Sequence, residues 1–157
     1  MSTTSDSTKD VDFEIVREDW TRYKLVTDNV LLRVRISVAK LIETGTGETG
    51  VPDFAVASQN CLSIIAPKES LKRTGEAPIL EGPILPEMIK EGTEIDYEIE
   101  GTPKWQEYKT TDGWTVMIKP EIGRVVRIKS YSRIAQTNML EPIYWVNLQP
   151  VFRVRRT

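Results

Sequence analysis

The chain has no histidine and a single cysteine, Cys61. Without imidazole there is no Ser–His–Asp or Cys–His arrangement, and with one thiol there is neither an internal disulfide nor a Cys/His zinc cluster. Long apolar runs are also missing. No stretch approaches the ~18 uninterrupted apolar residues of a membrane-spanning helix, so no membrane partner is expected. The opening segment, Met1–Asp10, is built from Ser, Thr, Asp and Lys and lacks the apolar centre of a signal peptide. Together with the unpaired thiol, this favours an intracellular, cytoplasmic protein. No Gly-x-Ser-x-Gly or Walker sequence occurs, calcium-loop spacing is absent, and no strand–helix–strand alternation suggests a dinucleotide fold. No cofactor and no metal are expected.

What is present is a globular composition of 157 residues, 39% hydrophobic and 28% charged. Period-2 alternation dominates. Val30, Leu32, Val34, Ile36, Val38 and Ile42 share one side of an extended segment broken only by Lys40, while Arg33, Arg35 and Ser37 take the other. The Gly45–Gly50 segment then reverses the chain, and Phe54–Ala66 returns as an apolar strand, so residues 30–66 read as one long hairpin. Cys61, inside that return arm, is expected to be a small buried hydrophobe.

Residues 67–92 change character, with four of the nine prolines and three of the nine glycines. This is a long connection carrying at most one short helix, residues 86–91, opened by Pro86 and closed before Gly92. Strands follow at Thr93–Glu100, Trp105–Thr110, Trp114–Lys119, Val125–Ile134, Ile143–Leu148 and Val151–Arg155. Asp112-Gly113 marks a hairpin turn, and Pro150 makes the last element an edge strand or a bulge between two short ones. No repeat is seen at a period of 20–50 residues, which argues against a solenoid or propeller. The expected fold is all-β, an antiparallel barrel or sandwich. It comprises one domain, residues 11–157, after a disordered tail at residues 1–10.

Charge is unevenly spread. Residues 1–101 carry 11 Lys/Arg against 19 Asp/Glu, and residues 102–157 carry 10 against 4. Either the basic part presents a partner-binding face, or the two parts lie side by side and neutralise one another. The acidic row Glu94, Asp96, Glu98 and Glu100 lies along one strand face, too far apart to converge on a cation unaided.

The candidate site residues are basic and aromatic: Arg124, Arg127, Lys129, Tyr131, Arg133, Trp145, Arg153 and Arg155. Guanidinium on phosphate and rings on bases would let them hold single-stranded nucleic acid, although a pI near 5.4 is low for that role. The reading leans away from an enzyme and favours a non-enzymatic binding or assembly protein. It would act through exposed strand edges, the 44–51 tip or the 67–92 excursion, with a protein partner or self-association.

Overall fold

The computed structural model describes residues 8–67, 78–102, 104–134 and 140–157. Among these described residues, ten strands and one helix follow in the order β1 (Lys9–Val11), β2 (Phe13–Arg17), β3 (Thr21–Leu25), β4 (Val30–Thr46), β5 (Pro52–Ile65), α1 (Pro86–Glu91), β6 (Thr93–Glu94), β7 (Tyr97–Glu100), β8 (Gln106–Thr110), β9 (Trp114–Ile134) and β10 (Leu140–Arg156). They form two curled antiparallel sheets in a half-barrel, as an all-β reading requires. Residues 1–7 of the expected tail and 68–77 of the excursion lie outside the described residues. Lys9 and Asp10, counted with the tail from sequence, pair with Glu43 and Ile42 as part of β1. Among the described residues no helix is long and apolar enough to cross a membrane.

Each sheet is organised by one long strand. β5 covers one edge of β4, while β3 and β1 share the opposite edge, β3 along residues 30–34 and β1 along 41–43. In the second sheet β10 covers one edge of β9, and β8 and β6 share the other. The expected 30–66 hairpin is therefore present, and β9–β10 is a second one. The four strands expected over residues 114–155, the last two parted by Pro150, are the two arms of this second hairpin, which also contains Pro120. The two prolines face each other across the ladder. An antiparallel pair of that kind can only be a non-hydrogen-bonded one, so neither ring removes a bond and the strands run on.

In β4 the alternation from Val30 to Val38 points inward as expected. Beyond it, Leu41 is buried in place of Ile42. The cause is a bulge at Ala39: Val38 pairs with Ser58 and Lys40 with Ala57, so the extra residue flips the side chains that follow, up to a second shift between Glu43 and Gly45. Cys61 is a second correction. It lies half-buried opposite Arg35, on the row pointing away from the core.

The two sheets are copies of one pattern at a spacing longer than that of solenoid or propeller units. Asp12, Glu14 and Ile15 recur as Asp96, Glu98 and Ile99; Trp20, Tyr23 and Lys24 as Trp105, Tyr108 and Lys109; Thr27 and Asp28 as Thr111 and Asp112. The ladders keep the same correspondence. Tyr23 faces Leu32 as Tyr108 faces Val116, and Asp10 faces Ile42 as Glu94 faces Val126. The Ala39 bulge has its counterpart between Ile122 and Val125 of β9. Even the turn backbone matches, with Asn29 (φ 53°) and Gly113 (φ 92°) left-handed at the same position.

The repeats exchange strands. β2 pairs with β8 of the second repeat, and β7 pairs with β3 of the first. Two buried clusters result, each assembled from both repeats. One holds Tyr23, Leu32, Val34, Ile122 and Val125, with Tyr97 and Ile64 packed against it. The other holds their counterparts Tyr108, Val116, Ile118, Val38 and Leu41, with Phe13 and Val154. The aromatic pairs match too: Tyr23 meets Tyr97 edge-on at 5.7 Å, and Tyr108 meets Phe13 at 5.8 Å. Tyr23 donates to the Pro120 carbonyl of the other repeat's long strand (3.1 Å); Tyr108 donates to Glu18 Oε2 (2.8 Å), with its hydroxyl 3.4 Å from the Ile36 carbonyl at the matching position of β4.

Burial, reinforced by the charges of Tyr97 and Glu121, pushes the Tyr23 phenol up to about 12. Burial, and next the hydrogen bond to Glu18, drives Tyr108 upward in the same sense. The folded chain thus holds these protons more tightly than the unfolded chain, whose phenols ionise near 10. Stability is unaffected below that pH and falls as pH rises toward 12. In a spectrophotometric titration, Tyr23 and Tyr108 should ionise only together with loss of β-sheet circular dichroism. Ionisation of all tyrosines near their ordinary pH in a folded chain would contradict the packing.

Candidate functional site: the open strand edges

Every strand residue directs its N–H and C=O to one side, so the side chains that meet those groups reveal the ladder's phase. The Ile36 N–H donates to Gln106 Oε1 at 3.0 Å, and Gln106 Nε2 donates to the Ile36 carbonyl at 2.6 Å. Gln106 fills the gap between β3 and β1 on that edge of β4. Both polar groups of Ile36 therefore face away from β5, and Ile36 with Asn60 is a non-hydrogen-bonded pair. Val38 agrees, its N–H directed to Glu18 Oε2 at 3.4 Å. By alternation, the N–H and C=O groups of Ser58, Asn60, Leu62 and Ile64 point off the free edge of β5.

Among the described residues, that edge carries none of the usual protection. Of its 14 residues only Asp53 is charged, and its one proline, Pro52, is the first residue. The side chains of the four edge residues turn to the concave side, where Ile64 packs on the core and Leu62 is 44% exposed.

The equivalent edge of β10 is blocked. Pro150, which corresponds to Asn60, faces Pro120, so its ring nitrogen points off the edge. Pro142 faces Ser132, whose N–H donates to the Pro78 carbonyl (2.9 Å) and whose C=O accepts from the Leu80 N–H (2.9 Å). Pro142 therefore also points its ring outward. Arg153, Arg155 and Arg156 charge the end of the same strand, and Phe152, the counterpart of Leu62, is 53% exposed.

The eight basic and aromatic positions singled out from sequence lie on β9 and β10 but do not act alike. Arg127 reaches Asp28, which is 8% exposed and also accepts from the Tyr144 hydroxyl; this is an internal ion pair. Arg124 is held by Glu94 at 2.6 Å and lies 5.9 Å from the Trp145 ring; Arg133 is held by Glu141 at 2.7 Å. Arg153 stacks on Trp105 at 4.9 Å. Lys129 and Arg155 are exposed, while Tyr131 and Trp145 are half-buried. The acidic row is partly neutralised from two sides, Glu94 by Arg124 of β9, and Glu98 and Glu100 lying opposite Lys24 and Arg22 of β3.

Sequence reasoning missed a second group of cations. Arg33 and Arg35 lie 4.6 and 4.5 Å from the Trp20 ring centre, and their Nε atoms are buried without a hydrogen-bond partner. Lys119 at Trp105 (5.0 Å) repeats the arrangement, since Trp20 and Trp105 occupy matching positions. The signal was available in the paired Trp-x-x-Tyr-Lys segments.

Other patterns resolve structurally. Gly45, Gly47 and Gly50 have the spacing of a phosphate-binding loop but form the tip of the β4–β5 hairpin, with no helix behind them. A 330 Å³ recess contains Glu94, Asp96, Tyr97 and Arg124, yet Glu94 is engaged by Arg124, and the Tyr97 hydroxyl donates to the carbonyls of Ile122 (2.7 Å) and Gly123 (3.2 Å). Among the described residues no three Cys, Asp or Glu side chains gather as metal ligands. Comparison of the chain with protein-family models, with curated proteins and with solved structures finds no match.

The internal role of Arg127 is measurable. Arg127→Ala removes the guanidinium paired with the buried Asp28 carboxylate and should cost about 3–5 kcal/mol in urea unfolding, whereas Lys129→Ala should stay within about 0.5 kcal/mol. Equal, small effects would show that Arg127 is a free surface cation.

Proposed function

We propose that the chain is a non-enzymatic binding and assembly protein whose working surface is the open edge of β5. The observation that supports this is the contrast between two equivalent edges. Pro142 and Pro150 bar β10 from accepting a strand, while β5 offers four successive N–H/C=O pairs with no proline or charge among Ser58–Ile64. A strand added there gains main-chain hydrogen bonds of about 0.5–1.5 kcal/mol each and covers the concave-side Leu62. Specificity then comes from the pockets beside alternate side chains. The hairpin tip after Thr46 frames one end of this edge.

The reading predicts a particular amide exchange pattern for the dilute, unassembled chain. The amides of Gln59, Cys61 and Ser63, bonded to β4, should exchange slowly, and those of Ser58, Asn60, Leu62 and Ile64 fast. Binding of a partner strand should slow the second set and leave the first unchanged. Uniform protection along β5 in the dilute chain would mean that this edge is already covered, and the reading would fail.

A further inference from the structure

Resting on that reading, we infer that the strand seated on β5 is β5 of a second copy of this chain, antiparallel about a two-fold axis near Asn60–Leu62. An open edge needs a partner with an open edge, and among the described residues only β5 supplies a long one. β10 is barred by its prolines, and β2 and β7 are short and joined through β1 and β6 to the opposite sheet. Identical strands meet antiparallel under a single two-fold rotation, so the contact closes on itself as a dimer and does not run on into a fibre.

Charge permits this pairing. Asp53 lies at one end of β5, so the axis sends the two aspartates to opposite ends, and no like charges meet along Ser58–Ile64. Burial favours it as well, because each copy's half-exposed Leu62 lies on the concave side, where the partner strand would extend the same face. The edge groups also match: with Asn60 opposite Leu62 of the second copy, both residues direct N–H and C=O across the new ladder.

The molecule contains its own control. Asn60 and Pro150 are equivalent positions, facing Ile36 and Pro120 respectively. Asn60→Pro therefore copies the device of β10 into β5, at a residue whose N–H makes no bond to β4. Sedimentation across a concentration series should show a dimer for the full chain. Asn60→Pro should weaken it by about tenfold to a hundredfold, since the two-fold axis applies each lost bond twice, while Asn60→Ala, which keeps the N–H, should leave it within about threefold.

Circular dichroism and the thermal midpoint report whether Asn60→Pro folds. Should it fail to, Leu62→Lys, at a side chain already half in solvent, carries the test and should also dissociate the dimer. A chain that stays monomeric to about 1 mM overturns the two-fold pairing, and the edge reading then stands or falls on the alternating exchange pattern. A dimer that survives both Asn60→Pro and Leu62→Lys has its interface elsewhere, which overturns the inference.

Discussion

The exchange of strands between the two repeats is the constraint from which the rest of the structure follows. β2 completes the ladder of β8 and β7 completes that of β3, so neither buried cluster belongs to a single repeat. Tyr23 and Val34 from one repeat close over Ile122 and Val125 of the other, and Tyr108 and Ile118 close over Val38 and Leu41. Hydrophobic burial supplies the dominant favourable term. Each repeat can gain it only by supplying half of both clusters. β4 and β9 must then be long enough to serve both, and their bulges at Ala39 and between Ile122 and Val125 let them curve from one cluster to the other. β5 and β10 are left outside, each backing a long strand and each with one edge to spare.

Against this near-symmetry, the departures are informative. Ile36 keeps its N–H and engages Gln106, whereas Pro120 at the matching position has none and its carbonyl accepts from Tyr23. Asp28 meets Arg127 directly. Its counterpart Asp112 faces the acidic Glu43, and Lys9 bridges the two at 3.3 and 3.2 Å. Asn60 leaves its edge open where Pro150 shuts the equivalent one. Packing demands that the two clusters resemble each other, but it places no such demand on the outer edges, and there the repeats have diverged in a direction that leaves one edge available.

Much of the fold was legible in the sequence because it rests on local signals. The alternation from Val30 to Val38, the reversal near Gly45–Gly50, the Asp112-Gly113 turn and the Pro86–Glu91 helix all appear as expected. Elements that depend on a partner strand were not legible. The Ala39 bulge, which exchanges Leu41 for Ile42 in the core, leaves no mark on β4 alone. Pro120 and Pro150 look like strand breaks until they are seen facing each other. The repeat hid behind one residue gained before Trp105 and one lost after Lys109, at a spacing well beyond that of solenoid units. The candidate site was legible as a class, strand edges, but not as a place. Which groups of β5 are free depends on Gln106, a side chain 70 residues from its partner Ile36.

The most direct test of the strand exchange is to separate the repeats as two polypeptides divided within residues 68–77 and to follow circular dichroism and cooperative unfolding for each alone and for the mixture. If each cluster needs both repeats, neither fragment forms a folded monomer, and mixing restores the sheet signal with a single unfolding transition. A first fragment that folds by itself as a monomer with a cooperative transition would contradict the account.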